Sequence, residues 1–349
     1  MKVRLFLHAP NVHNGGGLTL LKALLKVIPD GTCLIIDERL LIDDRALSRY
    51  QIFRIKPTIW CRFMAERLLV RETKENDTVL CFGNLPPLFS LKAKVTLFIQ
   101  NRYLVEPKLM SSVPVKLRIR LGVETLWLRY FQKNAERVIV QTASMKTLVC
   151  KCVSAPVTVA PFVAFPTVAT FRNKKSEGGR KYDFIYVASG EPHKNHKNLI
   201  DAWVELGEEG LFPSLCLTVN PEVFPKVVGL IKSKNKQHEL NIENIGSVTG
   251  EGALEFYKSA EILIFPSTLE SFGLPLIEAR AAGLRIVASE LDYVRDILDP
   301  EESFDPHSPT SIVRAVKRMM KLESKVNSLI SAQDFIDLLD VKESILGGE

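Results

Sequence analysis

The feature that most constrains this chain is an alternation that occurs twice. Short apolar runs alternate with stretches of helical periodicity, the pattern of parallel sheets built from βαβ units. In the first half, Val3–Leu7, Cys33–Ile36, Thr78–Cys81, Val95–Ile99, Arg137–Gln141 and Val157–Ala160 predict strands, with helices over Leu18–Val27 and Pro114–Asn134. Pro161 and Pro166 then flank an apolar turn, and the polar, glycine-bearing stretch Asn173–Arg180 reads as a linker. Its alternative is a long surface loop inside one domain. The strand pattern restarts at Asp183–Ala188 and continues at Leu215–Val219, Asn244–Ile245, Ile262–Phe265 and Arg285–Ala288. Helices are expected at Asn198–Gly207, Gly252–Ser259, Pro275–Ala282 and Ser311–Leu322, with Gly283 placed as a helix-ending glycine. The 349 residues exceed the size at which one core stops growing. The expectation is two Rossmann-like α/β domains, 1–170 and 181–325, and a helical tail over 326–349. Ligands of such domains bind at the carboxyl ends of the strands, so the sheets should face a cleft that closes on two substrates.

Composition removes several classes. Hydrophobic residues at 46% and charged residues at 25% argue against disorder. No run of about 18 apolar residues predicts a membrane span, and Met1–Pro10 is too short and interrupted for a signal peptide. The close pair Cys150 and Cys152 has no second pair and no nearby histidine, so the six cysteines read as free thiols rather than a zinc site. These features suit a cytoplasmic protein. The net charge of +6 suits an anionic partner without choosing among nucleotide, phospholipid and nucleic acid.

The segment Ile262–Gly283 carries the most chemistry. A strand runs into a loop holding Glu270, then Ser271-Phe272-Gly273-Leu274, and a helix expected to open at Pro275. The N–H groups of Phe272, Gly273 and Leu274 would lie near a helix N-terminus, a ready site for a diphosphate. Glu270 and Glu278 are separated by seven residues, and each carboxylate suits a sugar or ribose diol. That spacing alone is weak, and a solvated glutamate complementing the helix dipole is the bland alternative. In Tyr186–Ala202 a strand ends in a turn with Ser189, and Lys194 stands beside a helix start, where a lysine suits phosphate oxygens. Gly15-Gly16-Gly17 follow the first strand and let the backbone approach a ligand, or form a plain turn. Gln100 and Asn101 end another strand, facing either a cleft or water. The basic, amphipathic stretch 114–133 covers its domain or lies on an anionic membrane.

With these residues the chain resembles glycosyltransferase family 4, the GT-B group with a Glu-x7-Glu motif, here Glu270 to Glu278, and most closely the bacterial enzymes of lipopolysaccharide and capsule synthesis. The resemblance implies an α/β GT-B fold and a retaining, metal-independent transferase with no cofactor beyond its nucleotide-diphosphate sugar. Glu270 resembles the residue that holds a donor-sugar hydroxyl, and Glu278 the one on the ribose. Phe272, Gly273 and Leu274 resemble backbone donors to sugar and phosphate, Lys194 matches the phosphate lysine, and Gly16 and Gly17 match the loop facing the diphosphate. Gly246-Ser247-Val248 looks like the strand end lining the base. One departure stands out: Ser189 replaces an arginine common in the family, so charge neutralisation must fall elsewhere. The comparable acceptor-side strand end carries Gln100 and Asn101.

The expected reaction moves a sugar to a glycan or lipid-linked acceptor in cell-surface polysaccharide synthesis. The expected location is cytoplasmic, with 114–133 as the candidate for peripheral contact with the inner membrane face, and no nucleic-acid partner is expected. A sugar-nucleotide epimerase on the same fold, or a non-catalytic binding subunit, are the rival readings.

Overall fold

The computed structural model describes residues 4–42, 47–106, 109, 114–163, 180–248 and 256–322. The N-terminal half runs β1 (Leu5–Ala9), α1 (Gly15–Leu25), β2 (Cys33–Asp37), β3 (Gln51–Ile55), α2 (Ile59–Glu72), β4 (Thr78–Cys81) and β5 (Lys94–Phe98). It continues with α3 (Val115–Phe131), β6 (Arg137–Val140), α4 (Ala143–Val149) and β7 (Val157–Val159). The C-terminal half holds β8 (Tyr182–Tyr186), α5 (His196–Glu208), β9 (Leu215–Leu217), α6 (Pro225–His238), β10 (Ile242–Asn244) and β11 (Ala260–Phe265). It ends with α7 (Leu274–Ala281), β12 (Arg285–Ser289), α8 (Asp292–Arg295), β13 (Glu302–Phe304) and α9 (Pro309–Met319).

The strands form two sheets, ordered β3-β2-β1-β4-β5-β6-β7 and β10-β9-β8-β11-β12-β13. Every pairing is parallel. In each sheet the order reverses beside its first strand, between β1 and β4 and between β8 and β11. The strands on either side of such a reversal send their connecting helices to opposite faces, which opens a crevice at their carboxyl ends. Alternate residues of a strand face opposite sides. Phe6 therefore joins a core with Leu69, Leu121 and Leu128, while Leu7 joins another with Leu20, Leu21 and Phe98. The second sheet is wrapped by one larger core that includes Trp203, Phe265 and Val316.

Several boundaries differ from expectation. The first helix opens at Gly15 rather than Leu18, so the three glycines form its first turn instead of a preceding loop. Pro275 is the second residue of its helix, not the first. The strand expected at Asn244–Ile245 ends at Asn244. Elements β3, α2, α4, α6, α8 and β13 are not among those expected. The linker over 173–179, residues 252–255 of the helix expected at 252–259 and the tail over 326–349 lie outside the described residues, while 256 and 257 are helical. All six cysteines are free. Among the described residues no helix is long and apolar enough to cross a membrane.

Candidate functional site

The two sheet reversals look onto one cavity of about 260 Å³. The N-terminal half lines it with Asn11, Val12, Asn14 and Gly17 after β1, Asn84 after β4, and Gln100, Asn101, Arg102 and Tyr103 after β5; His193, Leu269, Glu270 and Ser271 come from the C-terminal half. Four sequence-derived candidates therefore line this cavity: Glu270, Gly17, Gln100 and Asn101.

Lys194 joins them through its side chain. Its Nζ donates to Glu270 Oε1 at 2.5 Å, and the two side chains are only 16% and 13% exposed. The lysine ends a short 3-10 turn, Pro192–Lys194, and Asn195 follows in the left-handed conformation at φ 60°. Asn195 holds that geometry by donating Nδ2 to the carbonyls of Pro266 (3.1 Å) and Pro306 (2.7 Å). The His193 carbonyl accepts from Thr268 N at 2.8 Å and from the hydroxyls of Ser267 and Thr268 at 3.1 Å each. The Tyr186 hydroxyl donates to the Lys194 carbonyl at 2.9 Å. The turn after β8 is thus clamped to the loop after β11, and that clamp fixes where Lys194 meets Glu270. Burial, and then the Lys194 charge, hold the His193 imidazole below its ordinary pKa.

Gly273 caps α7 at φ +70°, a conformation that β-carbon sterics disfavour. An added Cβ would also stand 3.1 Å from Leu276 Cδ1. Phe272 is buried, and Leu274 packs on the N-terminal core beside α1, where Gly16 comes close enough that a Cβ on it would meet Leu274 Cδ1 at 3.4 Å. The first turns of α1 and α7, one from each half, therefore meet. Each carries backbone N–H groups without helical partners.

Other candidates sit differently. Glu278 does not line the cavity. Its Oε2 accepts from the Tyr257 hydroxyl at 3.0 Å, and burial raises its pKa against the effect of that bond. Ser189, where the family often has arginine, donates its hydroxyl to Glu191. Val248 packs at the margin of the C-terminal core. Asn101 uses its side chain to cap the turn Arg102–Leu104, accepting from Tyr103 N at 3.1 Å. Gln100 Nε2 donates to the Phe82 carbonyl at 3.3 Å.

Among the cavity residues given no role in the sequence reading are Asn84, Arg102, Tyr103 and His193. Asn84, at φ 70°, accepts from the backbone N–H groups of Gln100 (2.5 Å) and Asn101 (2.9 Å), and so sets the end of β5. Arg102 is the only lysine or arginine among the residues lining the cavity, and Glu106 holds its Nε at 2.7 Å. Tyr103 and His193 approach edge to face across the cavity, ring centres 6.4 Å apart. Glycine-then-asparagine at 83–84 reads as an ordinary turn, and no local pattern marks the other three.

Residues 168–334 match the family model for glycosyl transferases group 1. The chain is 28% identical over 144 residues to the serotype-specific mannosyltransferase WbdA of Escherichia coli, covering 40% of this chain and 18% of that protein. It is 31% identical over 109 residues to the phosphatidyl-myo-inositol mannosyltransferase of Mycobacterium tuberculosis, covering 31% and 28%. The matches thus span about a fifth to a quarter of these relatives. Among solved structures, Anabaena HepE in complex with UDP superposes with a TM-score of 0.66 at 14% identity, over 92% of this chain and 90% of that one. That likeness carries the fold: two facing Rossmann-like domains of the GT-B type.

Proposed function

We propose, from the match of residues 168–334 to the model for glycosyl transferases group 1, that the chain is a member of that family, a retaining glycosyltransferase that moves a hexose, without a metal, from a nucleoside-diphosphate sugar to a glycan or lipid-linked acceptor of a cell-surface polysaccharide. The observation that carries this reading is the Lys194–Glu270 pair, 2.5 Å apart at the edge of a cavity where two helix N-termini meet. A diphosphate sugar needs cations and N–H donors at its phosphates and an acceptor of hydroxyl hydrogen bonds at its sugar. This corner supplies both. The names of the relatives support mannose as the first sugar to test.

In the reaction the bond from the anomeric carbon to the diphosphate oxygen breaks, and the acceptor hydroxyl oxygen bonds to the same face of that carbon. The acceptor proton passes to the departing phosphate. Negative charge grows on the leaving diphosphate, and Lys194 with the N–H groups of Phe272, Gly273 and Leu274 stabilises it from fixed positions. Gly16 and Gly17 bring a second set of N–H groups from the other half. Glu270 orients the sugar by its hydroxyls and forms no covalent bond, while Glu278 takes the ribose and Val248 borders the base. Gln100 and Asn101 shape the acceptor side.

Placement on the inner membrane face rests on α3. Val115, Ile119, Val123, Leu126 and Tyr130 are all exposed and recur every three to four residues along one face, while Leu121, Thr125 and Leu128 bury the opposite one. Lys116 and Arg120 flank one edge of that stripe, and Arg118 and Arg129 the other. An apolar stripe between two basic borders suits an anionic bilayer surface.

The test is transfer from GDP-mannose and the UDP-hexoses by purified chain. Lys194→Ala should lower kcat by roughly 100- to 1000-fold, the usual effect of removing one transition-state donor, with the fold retained by circular dichroism. Full activity in that variant would remove the site assignment, and an isomerised sugar nucleotide formed without acceptor would replace transferase by epimerase.

A further inference from the structure

A second concave surface lies on the outer side of α2, apart from the donor cavity. Its volume is about 1030 Å³, close to the upper end of the roughly 300–1,000 Å³ usual for ligand sites. Ile55 at the end of β3, Trp60, Phe63, Met64 and Leu68 on α2, and Phe89 form its apolar walls. The α2 residues recur every three to four positions, so they share one face of the helix. The opposite face buries Ala65, Glu66 and Leu69. Trp60 stacks on Phe63 with ring centres 5.9 Å apart, and Phe89 meets Phe63 edge to face at 6.0 Å. Trp60 is nevertheless 69% exposed and Met64 46%. Single exposed apolar residues are ordinary, whereas a contiguous apolar hollow marks a binding surface.

The rim of this hollow carries charge of one sign. Arg67 and Arg71, one turn apart on α2, line it and are exposed, and no carboxylate is among the described residues that line it. Glu72, outside the hollow, accepts from Arg71 Nε at 2.9 Å. The segment after β4 joins the hollow to the donor cavity. Asn84 lines the cavity and Phe89 the hollow, and a chain of that length spans at most about 18 Å. The segment is held from both sides. The Pro86 and Pro87 carbonyls accept from Trp127 Nε1 and Asn134 Nδ2, each at 2.8 Å, and Leu88 N donates to Glu66 Oε2 at 2.9 Å. Helices α2 and α3 thus flank the same segment, which puts the hollow beside the helix whose apolar stripe is exposed.

We propose that this hollow holds the apolar chain of a lipid-linked acceptor, with Arg67 and Arg71 on the phosphate that joins chain to sugar. The apolar walls take the chain out of water, and the planar fork of arginine suits a phosphate. A second copy of the chain fits less well, because a symmetric pairing through this face would set arginine against arginine. With its chain held there, the acceptor sugar lies one short segment from the donor cavity. The acceptor identity rests on the transferase reading, and it selects the lipid-linked acceptor over the free glycan. The binding of an anionic amphiphile does not rest on that reading.

The test is calorimetric titration of the full chain with octyl, nonyl and decyl phosphate below their micelle-forming concentrations, with decyl maltoside as the uncharged control. The native chain binds the phosphates with an affinity that rises about fourfold per added methylene. The double variant Trp60→Ser, Met64→Gln, changed at two exposed positions and folded by circular dichroism, binds decyl phosphate at least tenfold more weakly. Arg67→Gln weakens the binding of decyl phosphate but not of decyl maltoside. Tryptophan fluorescence shifts to the blue on binding, and the shift is lost in Trp60→Phe, which still binds. Lys194→Ala, and Ile119→Ser on α3, bind as the native chain does. No binding by the native chain, an affinity independent of chain length, or unchanged binding in the double variant would each overturn the site. So would equal weakening of both probes in Arg67→Gln, and so would loss of binding in Ile119→Ser, which would give the lipid to the surface of α3 instead. Failure of the transferase reading shows separately, as binding of UDP and GDP that does not depend on Lys194 while alkyl phosphate binding stays intact.

Discussion

The lysine proposed for a diphosphate is paired within the chain, because Glu270 accepts from Lys194 at 2.5 Å. A nucleoside diphosphate without its sugar must share Lys194 with that carboxylate and gains nothing from Glu270 in return. Glu270→Gln should therefore separate binding from turnover. At an effective dielectric of about 20, two unit charges about 6 Å apart interact by roughly 3 kcal/mol. Screening and relaxation leave a part of this, so the variant should bind UDP or GDP more tightly by about 1–2 kcal/mol, which is roughly five- to thirtyfold. Turnover should move the other way, since an amide orients sugar hydroxyls less firmly than a carboxylate. Charge-assisted hydrogen bonds contribute about 1.5–3 kcal/mol, so kcat should fall by roughly ten- to a hundredfold. Calorimetric titration of the nucleoside diphosphates and initial rates at saturating donor read the two effects. Weaker diphosphate binding in Glu270→Gln would refute the argument, because it would mean that the carboxylate supports the phosphate site rather than competing with it.

Two further outcomes follow from local geometry. Gly273→Ala places a Cβ at φ +70° and 3.1 Å from Leu276 Cδ1; the left-handed conformation alone costs about 1–2 kcal/mol, so the melting temperature should fall and diphosphate binding should weaken as the start of α7 shifts. The pH dependence of stability should carry the mark of His196, whose pKa burial lowers to about 4 although its Nε2 meets the Ser189 carbonyl at 2.8 Å. The unfolded chain then binds the extra proton between about pH 4 and 6.5, so this contribution is complete above pH 6.5 and is lost as the pH falls toward 4. It amounts to about 3 kcal/mol. Denaturation at pH 5 and 7.5 should show a smaller loss in His196→Gln than in the native chain, and equal losses would exclude this assignment.

Strands with continuous apolar runs were legible in the sequence because parallel strands covered on both faces show no alternation. Thr78–Cys81 is read to the residue. The edge strand Gln51–Ile55 escaped because it is half exposed and carries Gln51 and Arg54. Helix Ile59–Glu72 escaped because its outer face is apolar, with Ile59 and Trp60 exposed, while its inner face buries Glu66. With Ala65 and Leu69 also buried, the expected contrast between the two faces is weakened there. Helix Pro225–His238 fully buries only Val228 and Ile231, too few for a stripe. At the site, Glu270 and Lys194 could be found because strand ends and helix starts have local signatures. Asn84 could not, since its role lies in two N–H groups sixteen residues ahead. The position of Glu278 depends on Tyr257, which no short-range pattern couples to it.

The missing arginine bears on how the cleft closes. Each cation near the cavity is already matched: Lys194 by Glu270 and Arg102 by Glu106, while the serine at position 189 donates to Glu191. Side chains alone therefore leave little net positive charge for a diphosphate. What remains are the N-termini of α1 and α7, which carry roughly half a positive charge each. They face one another from opposite halves, near enough for Gly16 to meet Leu274. Two like poles so placed repel one another. A diphosphate between them would turn that repulsion into attraction on both sides, so the proposed site couples donor binding to closure of the cleft. An arginine fixed in the C-terminal half would have bound phosphate whether or not the N-terminal half had arrived. With Ser189 in its place, the proposed donor site predicts that tight binding requires both halves.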